Sequence, residues 1–300
     1  MLRVAAVRSS GTAVETPAPF SPDRELPEGL AQSLRLKLDR GTLDLPVLAD
    51  AAQRVMRMAL DDDVDPGALA DTIKRDGAMA SHLLRVANSP LYRGRAAIVS
   101  LQQAVSRLGM RKVREIALAI VCESRVFRVR GYDTEVREAF RHSLGAAYFA
   151  QEIARVKRSS VEEAFLAGLL HDIGRPVLLQ AIVDLERELQ VRAPHAAALA
   201  FAESHHESAG GMLVTAWELP PRVADAVRRH HAEPSAEAPL AAIVGLAHLL
   251  SDRTFGAPST ERSSAPGEAP QVVALNLYPE ELDTILACTP RLKAAVEVTP

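Results

Sequence analysis

Residues 160–178 read SVEEAFLAGLLHDIGRPVL, and this stretch decides the fold. Ser160 and Glu163 have the spacing of a capping box, in which the Ser oxygen accepts from the third helical amide while the Glu reaches back. Behind that start, Phe165, Leu166, Leu169 and Leu170 recur at helical spacing and give an apolar face. The helix so predicted delivers His171 at its end, with Asp172 beside it.

Outward from here the same helical pattern continues. Residues 134–156 read as one long helix, and further helices are predicted near 175–190, 194–203, 206–217, 221–231 and 240–251. Toward the N-terminus, Leu30, Leu34 and Leu38 recur every four residues. A second amphipathic helix carries Val47, Leu48, Ala51, Val55, Met58 and Ala59. Asp65 before Pro66 starts another, since Asp caps orphan amides and Pro at the first helical position loses no needed hydrogen bond. One more helix ends at Asn88-Ser89-Pro90, and Ser100 caps a helix running to Gly109. Residues 26–124 thus read as about six short helices. Residues 1–25, with Pro17, Pro19 and Pro22, read as a flexible leader. The stretch GAPSTERSSAPGEAP (256–270) reads as a linker, followed by two short helices begun at Pro279 and Thr289-Pro290. No strand pattern of useful length and no repeat of fixed period occurs.

Composition supports an all-α chain. Of 300 residues 48% are hydrophobic and 24% charged, which excludes a chain disordered throughout. Only 4% are aromatic, so the core must be built from Ala, Leu, Val and Ile, which suit helix-on-helix packing. Thirty-five basic residues against 38 acidic leave a net charge of -3, so nothing announces a nucleic-acid binder. Cys122 and Cys288 form no disulfide framework or paired metal spacing. The N-terminus is broken by Arg3 and Arg8, and the most apolar stretch, Leu240–Leu250, falls short of the roughly 18 residues of a membrane span. The expectation is a cytoplasmic protein with no membrane partner.

The histidines carry the chemistry. Six of the nine fall as His142, His171 beside Asp172, His205-His206 and His230-His231. An HD dipeptide arises by chance in about half of such chains, whereas two HH pairs as well are expected in only a few per cent. Neutral imidazoles and a carboxylate are ligands for divalent Zn, Fe, Mn or Ni, and one Asp can bridge two ions through its two oxygens. Each group lies on a different predicted helix, so a bundle can gather them at one cleft. His206 has Gly210 one turn on, which lets a neighbouring helix approach, whereas His205 points about 100° away and falls outside. His82, His195 and His205 read as structural, and Glu203 and Glu207 as solvated. Asp172 also admits a plainer role as cap of the following helix.

Five stretches bear a resemblance: LPVLADAAQRVMRMALDDD (45–63), LADTIKRDGAMASHLLRVANSPLYRG (69–94), SLQQAVSRLG (100–109), FLAGLLHDIGRPVL (165–178) and HESAGGMLVTAWELPPRVADAVRRHH (206–231). Across residues 45–252 the chain resembles the HDOD family, a generally non-catalytic branch of the HD-domain phosphohydrolase superfamily. ANSPLYR (87–93) followed by LQQAVSRLG (101–109) is the most diagnostic part. The resemblance implies a helical N-terminal lobe (26–125) packed on an HD-type helical core (126–254), with a linker and two short helices after it (255–300). It also implies a bacterial signalling or regulatory module.

In the related HD-GYP enzymes, which hydrolyse cyclic di-GMP, metal ligands occupy positions corresponding to His142, His171, Asp172, His206, His230 and His231, so one or two divalent ions are expected here. Three departures weaken a catalytic reading. The GYP segment is absent, the chain running HHAEPSAEAPLA (230–241). Arg175 stands where the enzymes commonly have Lys, and its planar fork reaches differently. His248 lies where a final metal-binding Asp is expected, exchanging an anionic ligand for a neutral one; Asp252, one turn on, is a candidate substitute. The expectation is a regulatory protein that binds a signalling partner or small ligand without turnover. The alternative is a metal-dependent phosphohydrolase or cyclic-di-GMP phosphodiesterase using Asp172 and Arg175, or a sensor that binds a nucleotide or cyclic dinucleotide uncleaved.

Overall fold

The computed structural model describes residues 25–256 and 265–299, apart from positions 49, 60, 62, 93 and 95. The leader expected over residues 1–25 lies almost wholly outside the described residues, as does the middle of the expected linker, 257–264. No strand occurs among the described residues.

Six helices fill the N-terminal part: α1 (Glu28–Asp39), α2 (Asp50–Ala59), α3 (Pro66–Lys74), α4 (Gly77–Ala87), α5 (Leu101–Leu108) and α6 (Met110–Arg125). The predicted caps form. Asp65 accepts from the Ala68 amide at 2.7 Å, and the Ser100 hydroxyl accepts from Gln103 at 3.2 Å. Val47, expected on the packed face of the second helix, instead precedes α2 and is 84% exposed. The side chains of Ala51 and Ala59, expected on that same face, lie outside the described residues. Leu30 and Leu34 are fully buried, each contributing about 1.5–3 kcal/mol of transfer free energy.

The core follows with α7 (Asp133–Val156), α8 (Val161–Leu170), α9 (Gly174–Leu189), α10 (His195–Ala216), α11 (Pro221–Arg229) and α12 (Pro239–Phe255). The Ser160 hydroxyl accepts from the Glu163 amide at 3.2 Å and starts α8. α7 packs along α8 and α12, α9 along α10, and α1 reaches across to α9. Two helices were expected across 194–217, yet α10 runs unbroken: neither Gly nor Pro interrupts 203–206, and the Ser204 hydroxyl folds back onto the Ala200 carbonyl at 3.0 Å. Among the described residues, Val161–Leu189 is long and apolar enough to cross a membrane by length and composition, but 83% of its most apolar 18 residues are buried inside the fold, as core helices are.

The C-terminal helices dock on the same chain. α13 (Pro270–Ala274) lies against α12, while α14 (Pro279–Ala287) and α15 (Thr289–Val298) lie against α7. Leu275, Leu277, Leu282 and Ile285 are buried there.

Two glycines permit the close helix approaches that gather the histidines. A Cβ on Gly174 would stand 2.0 Å from the His206 carbonyl oxygen and 2.7 Å from the Gly210 nitrogen. A Cβ on Gly168 would stand 2.7 Å from the Ala147 Cα. In both cases the obstacle is backbone, which cannot swing aside. Gly174→Ala therefore overpacks the α9–α10 crossing and should cost about 1–3 kcal/mol or more. Thermal unfolding should show Tm lower by roughly 2–10 °C; an unchanged Tm would show that this contact is not tight.

Candidate metal centre

Five helices bring their ends or one face to an internal cleft. His142 comes from the middle of α7, His171 from the C-cap of α8 and Asp172 from the turn between α8 and α9. His206 lies on α10, His230 caps α11, and His248 lies on α12. His171 and Asp172 have no exposed surface, and His142, His206, His230 and His248 are 1%, 3%, 2% and 7% exposed. His231 stands exposed at the mouth, its ring 4.2 Å from that of His230.

Local helix geometry sets the rings. The Nδ1 atoms of His171, His206 and His230 lie 2.8, 2.5 and 2.9 Å from the carbonyl oxygens of Gly168, Glu203 and Val227, three residues earlier in each case. A carbonyl can only accept, so each Nδ1 carries the proton, and in a neutral ring Nε2 then offers a lone pair to the cleft. The inward nitrogens crowd together. His248 Nδ1 is 3.1 Å from His142 Nε2 and 3.0 Å from His171 Nε2, and His206 Nε2 is 3.2 Å from His230 Nε2. Asp172 divides itself between the two groups. Its Oδ2 is 3.4 Å from His171 Nε2, and its Oδ1 is 3.3 Å from His206 Nε2 and 3.6 Å from His230 Nε2.

These atoms fit a divalent ion. One proton on His248 Nδ1 can serve only one of the two rings that face it. Both Asp172 oxygens are buried without a hydrogen-bond partner, which costs free energy unless a cation satisfies the site. Nitrogen ligands about 2.0–2.1 Å from one ion stand roughly 2.9–3.4 Å apart, the spacing found here. His142, His171, Asp172 and His248 form one group able to hold an ion; Asp172, His230, His231 and His248 form an overlapping second.

The surrounding charges are arranged to match. Burial pushes the His142 and His206 rings down to about 4 and about 3, against the pull of Asp172. Burial likewise holds the His171 and His248 rings well below the ordinary imidazole range. For Asp172 burial acts upward, but Arg175, and after it the imidazoles, hold the carboxyl well below the usual carboxylate range. Arg175 Nε lies 3.2 Å from Asp172 Oδ2, while its two terminal nitrogens reach Glu203 at 2.7 and 3.0 Å. Asp252 stands behind the rings, 3.3 Å from His142 Nδ1 and 3.4 Å from His248 Nε2. The candidate substitute ligand thus faces the outer nitrogens, where carboxylates orient metal-binding imidazoles.

All seven residues singled out from sequence border this cleft. His205 lies outside it against Phe201, and His195 is an exposed partner of Glu135. Glu203 and Glu207, expected to be merely solvated, both have partners: Glu203 clamps Arg175, and Glu207 accepts from the His231 amide at 3.2 Å. Sequence offered one signal for these two carboxylates, their positions three before His206 and one after it on the same helix.

An all-helical core whose helix ends converge imidazoles and one buried aspartate on an internal cleft is the architecture of an HD-type domain. The chain belongs to the HDOD domain family, which it matches over residues 45–233. Its fold is similar to that of an HDOD domain protein of unknown function from Geobacter sulfurreducens, with TM-score 0.67, 24% identity, and 88% of this chain and 96% of that one covered. It is also similar to a candidate metal-dependent phosphohydrolase from Shewanella amazonensis SB2B, with TM-score 0.66, 21% identity, and 92% and 100% covered. A third likeness is to a candidate signal transduction protein from Marinobacter aquaeolei VT8, with TM-score 0.64, 22% identity, and 91% and 66% covered. The chain spans 44% and 34% of the length of two curated relatives that it matches.

The depressed imidazoles set an acid limit. His142 and His206 stay neutral in the fold while the unfolded rings protonate below about pH 6.5. Their contribution is therefore intact above that pH and is lost as pH falls toward about 4 and about 3. Asp252, pushed up to about 7 by burial and by Asp172, acts oppositely, as one group against the several depressed imidazoles. Urea titration of chelator-treated protein should show stability falling between pH 6.5 and 4, at up to roughly 1.4 kcal/mol per pH unit for each ring. A flat profile would contradict neutral burial.

Proposed function

We propose that this protein is a regulatory HDOD module in which the centre holds a divalent ion as a structural element, and that it signals by binding a protein partner or small ligand without turnover. The observation carrying this reading is closure. Asp172 and His171 have no exposed surface, and the Arg175 guanidinium, 8% exposed, joins Asp172 to Glu203 beside them. A phosphate ester would need that pair opened before it could reach the ring nitrogens.

The ligand set favours a borderline ion such as Zn, Fe or Ni over Mn, because imidazoles outnumber the single carboxylate. His142, His171, His248 and Asp172 would hold the first ion. Asp172 with His230, His231 and His248 offers an overlapping second position, beside which His206 Nε2 faces Asp172 Oδ1. The runner-up reading is a metal-dependent phosphohydrolase or cyclic-di-GMP phosphodiesterase, favoured by the two-sided placement of Asp172 and the exposed His231. There an ion would supply Lewis-acid chemistry, with Arg175 released from Glu203 to hold phosphate.

Elemental analysis of protein purified without added metal, combined with turnover assays on cyclic di-GMP and bis(p-nitrophenyl) phosphate, separates the two. The regulatory reading expects about one or two ions per chain and no turnover, with the ions lost in Asp172→Ala. Turnover that Asp172→Ala abolishes would establish the enzyme instead. Protein that retains no ion and binds neither Zn nor Mn in calorimetry would sink both readings.

A further inference from the structure

A cavity away from the histidines, lined by charged side chains set among apolar ones, lies where the N-terminal helices meet α7 and α15. Its volume is ≈ 470 Å³, within the range of small-molecule sites. The stretches most diagnostic in the sequence build one side, through Leu91 and Tyr92 after α4 and Leu108 at the end of α5. The metal centre leaves these residues unexplained.

Three features define what the cavity would accept. First, four cations line it, Arg111, Lys112, Arg155 and Arg291, against two carboxylates, Glu115 and Glu152. Arg155 and Arg291 both converge on the same oxygen of Glu152, so one carboxylate serves two guanidiniums and a positive charge is left over. Arg111 is balanced from outside the lining by Glu162 at 3.1 Å. Second, a buried polar group is built into the cavity. Glu115 is 4% exposed and Gln151 2%; Gln151 Nε2 donates to Glu115 Oε1 at 2.5 Å, and Lys112 donates to Oε2. That carboxylate retains lone pairs for further N–H donors. Third, the half-buried ring of Tyr92 offers an aromatic face, and burial together with Glu115 pushes its phenol up to about 12, so it remains a neutral hydrogen-bond donor.

A molecule complementary to all three carries an anionic group for the arginine pair, a planar ring for Tyr92, and ring-edge N–H donors for Glu115. We infer that this cavity is a binding site for a nucleoside phosphate, with the phosphate between Arg155 and Arg291 and the base against Tyr92 and Glu115. Guanidinium forks suit phosphate oxygens, and aromatic faces stack on bases. Such a ligand would join the N-terminal helices, α7 and α15. Since α7 also carries His142, it would sit on the same rigid element as the metal centre.

Isothermal titration of the full chain with GMP, AMP, guanosine, adenosine and inorganic phosphate tests this. One of the two monophosphates should bind at least about tenfold tighter than its nucleoside or phosphate alone. Arg291→Gln and Tyr92→Ala should each weaken it about tenfold or more, with circular dichroism and metal content unchanged. Arg291→Gln leaves Glu152 paired with Arg155, so it should fold; if Tyr92→Ala does not fold, Arg155→Gln, which leaves Glu152 paired with Arg291, replaces it. Binding should persist in chelator-treated protein and in His171→Ala. No binding by either monophosphate overturns the inference, as do binding of phosphate alone with equal strength, binding untouched by the cavity substitutions, and binding lost with chelation.

Discussion

A carboxylate with no exposed surface, Asp172, must be kept ionised inside a helical core, and most of the architecture around it answers to that demand. An isolated buried charge costs several kcal/mol even after relaxation. Here the cost is offset by a guanidinium against one oxygen and by imidazoles turned toward both. None of these partners is adjacent in sequence except His171. Enclosing the charge therefore requires that α7, α8, α10, α11 and α12 all close on one point, and Gly174 and Gly168 sit where that closure brings backbone against backbone.

The imidazoles are oriented from behind. In His171, His206 and His230 the proton is drawn to a carbonyl three residues earlier on the same chain segment, so ordinary helix geometry aims the other nitrogen inward. His142 and His248 face Asp252 with their outer nitrogens instead. The exchange of an expected aspartate for His248 thus changes the centre's charge while Asp252 keeps an acid in support. The exchange of Lys for Arg at position 175 has a comparable effect. A planar fork spans Asp172 and Glu203 at once, which a single ammonium on a flexible stem does less well.

Much of this was legible beforehand because helices advertise themselves locally. The Leu30–Leu34–Leu38 repeat, the Asp65 and Ser100 caps, and the apolar run ending at His171 each involve residues within a turn or two of one another. His206 could be separated from His205 for the same reason, since 100° of helical rotation decides which ring faces Gly210 and the cleft. Where no short-range signal existed the reading failed: nothing near 203–206 revealed that α10 continues, and Val47 looked apolar enough to be buried. Glu203 reads as solvated until its partner, 28 residues earlier in the chain, is known.

By itself the sequence determined the helices, their caps, the apolar faces and the set of chemically competent side chains, because these rest on backbone hydrogen bonds and periodicities that span a few residues. Only the tertiary structure decided which nitrogens face one another, that Asp172 is shared between two groups of rings, that Arg175 ties Asp172 to Glu203, and that a cavity opens between the N-terminal helices and α15. Those outcomes depend on helix crossings set by packing between distant segments. An ångström of approach there determines whether two polar groups interact, and no local pattern records it.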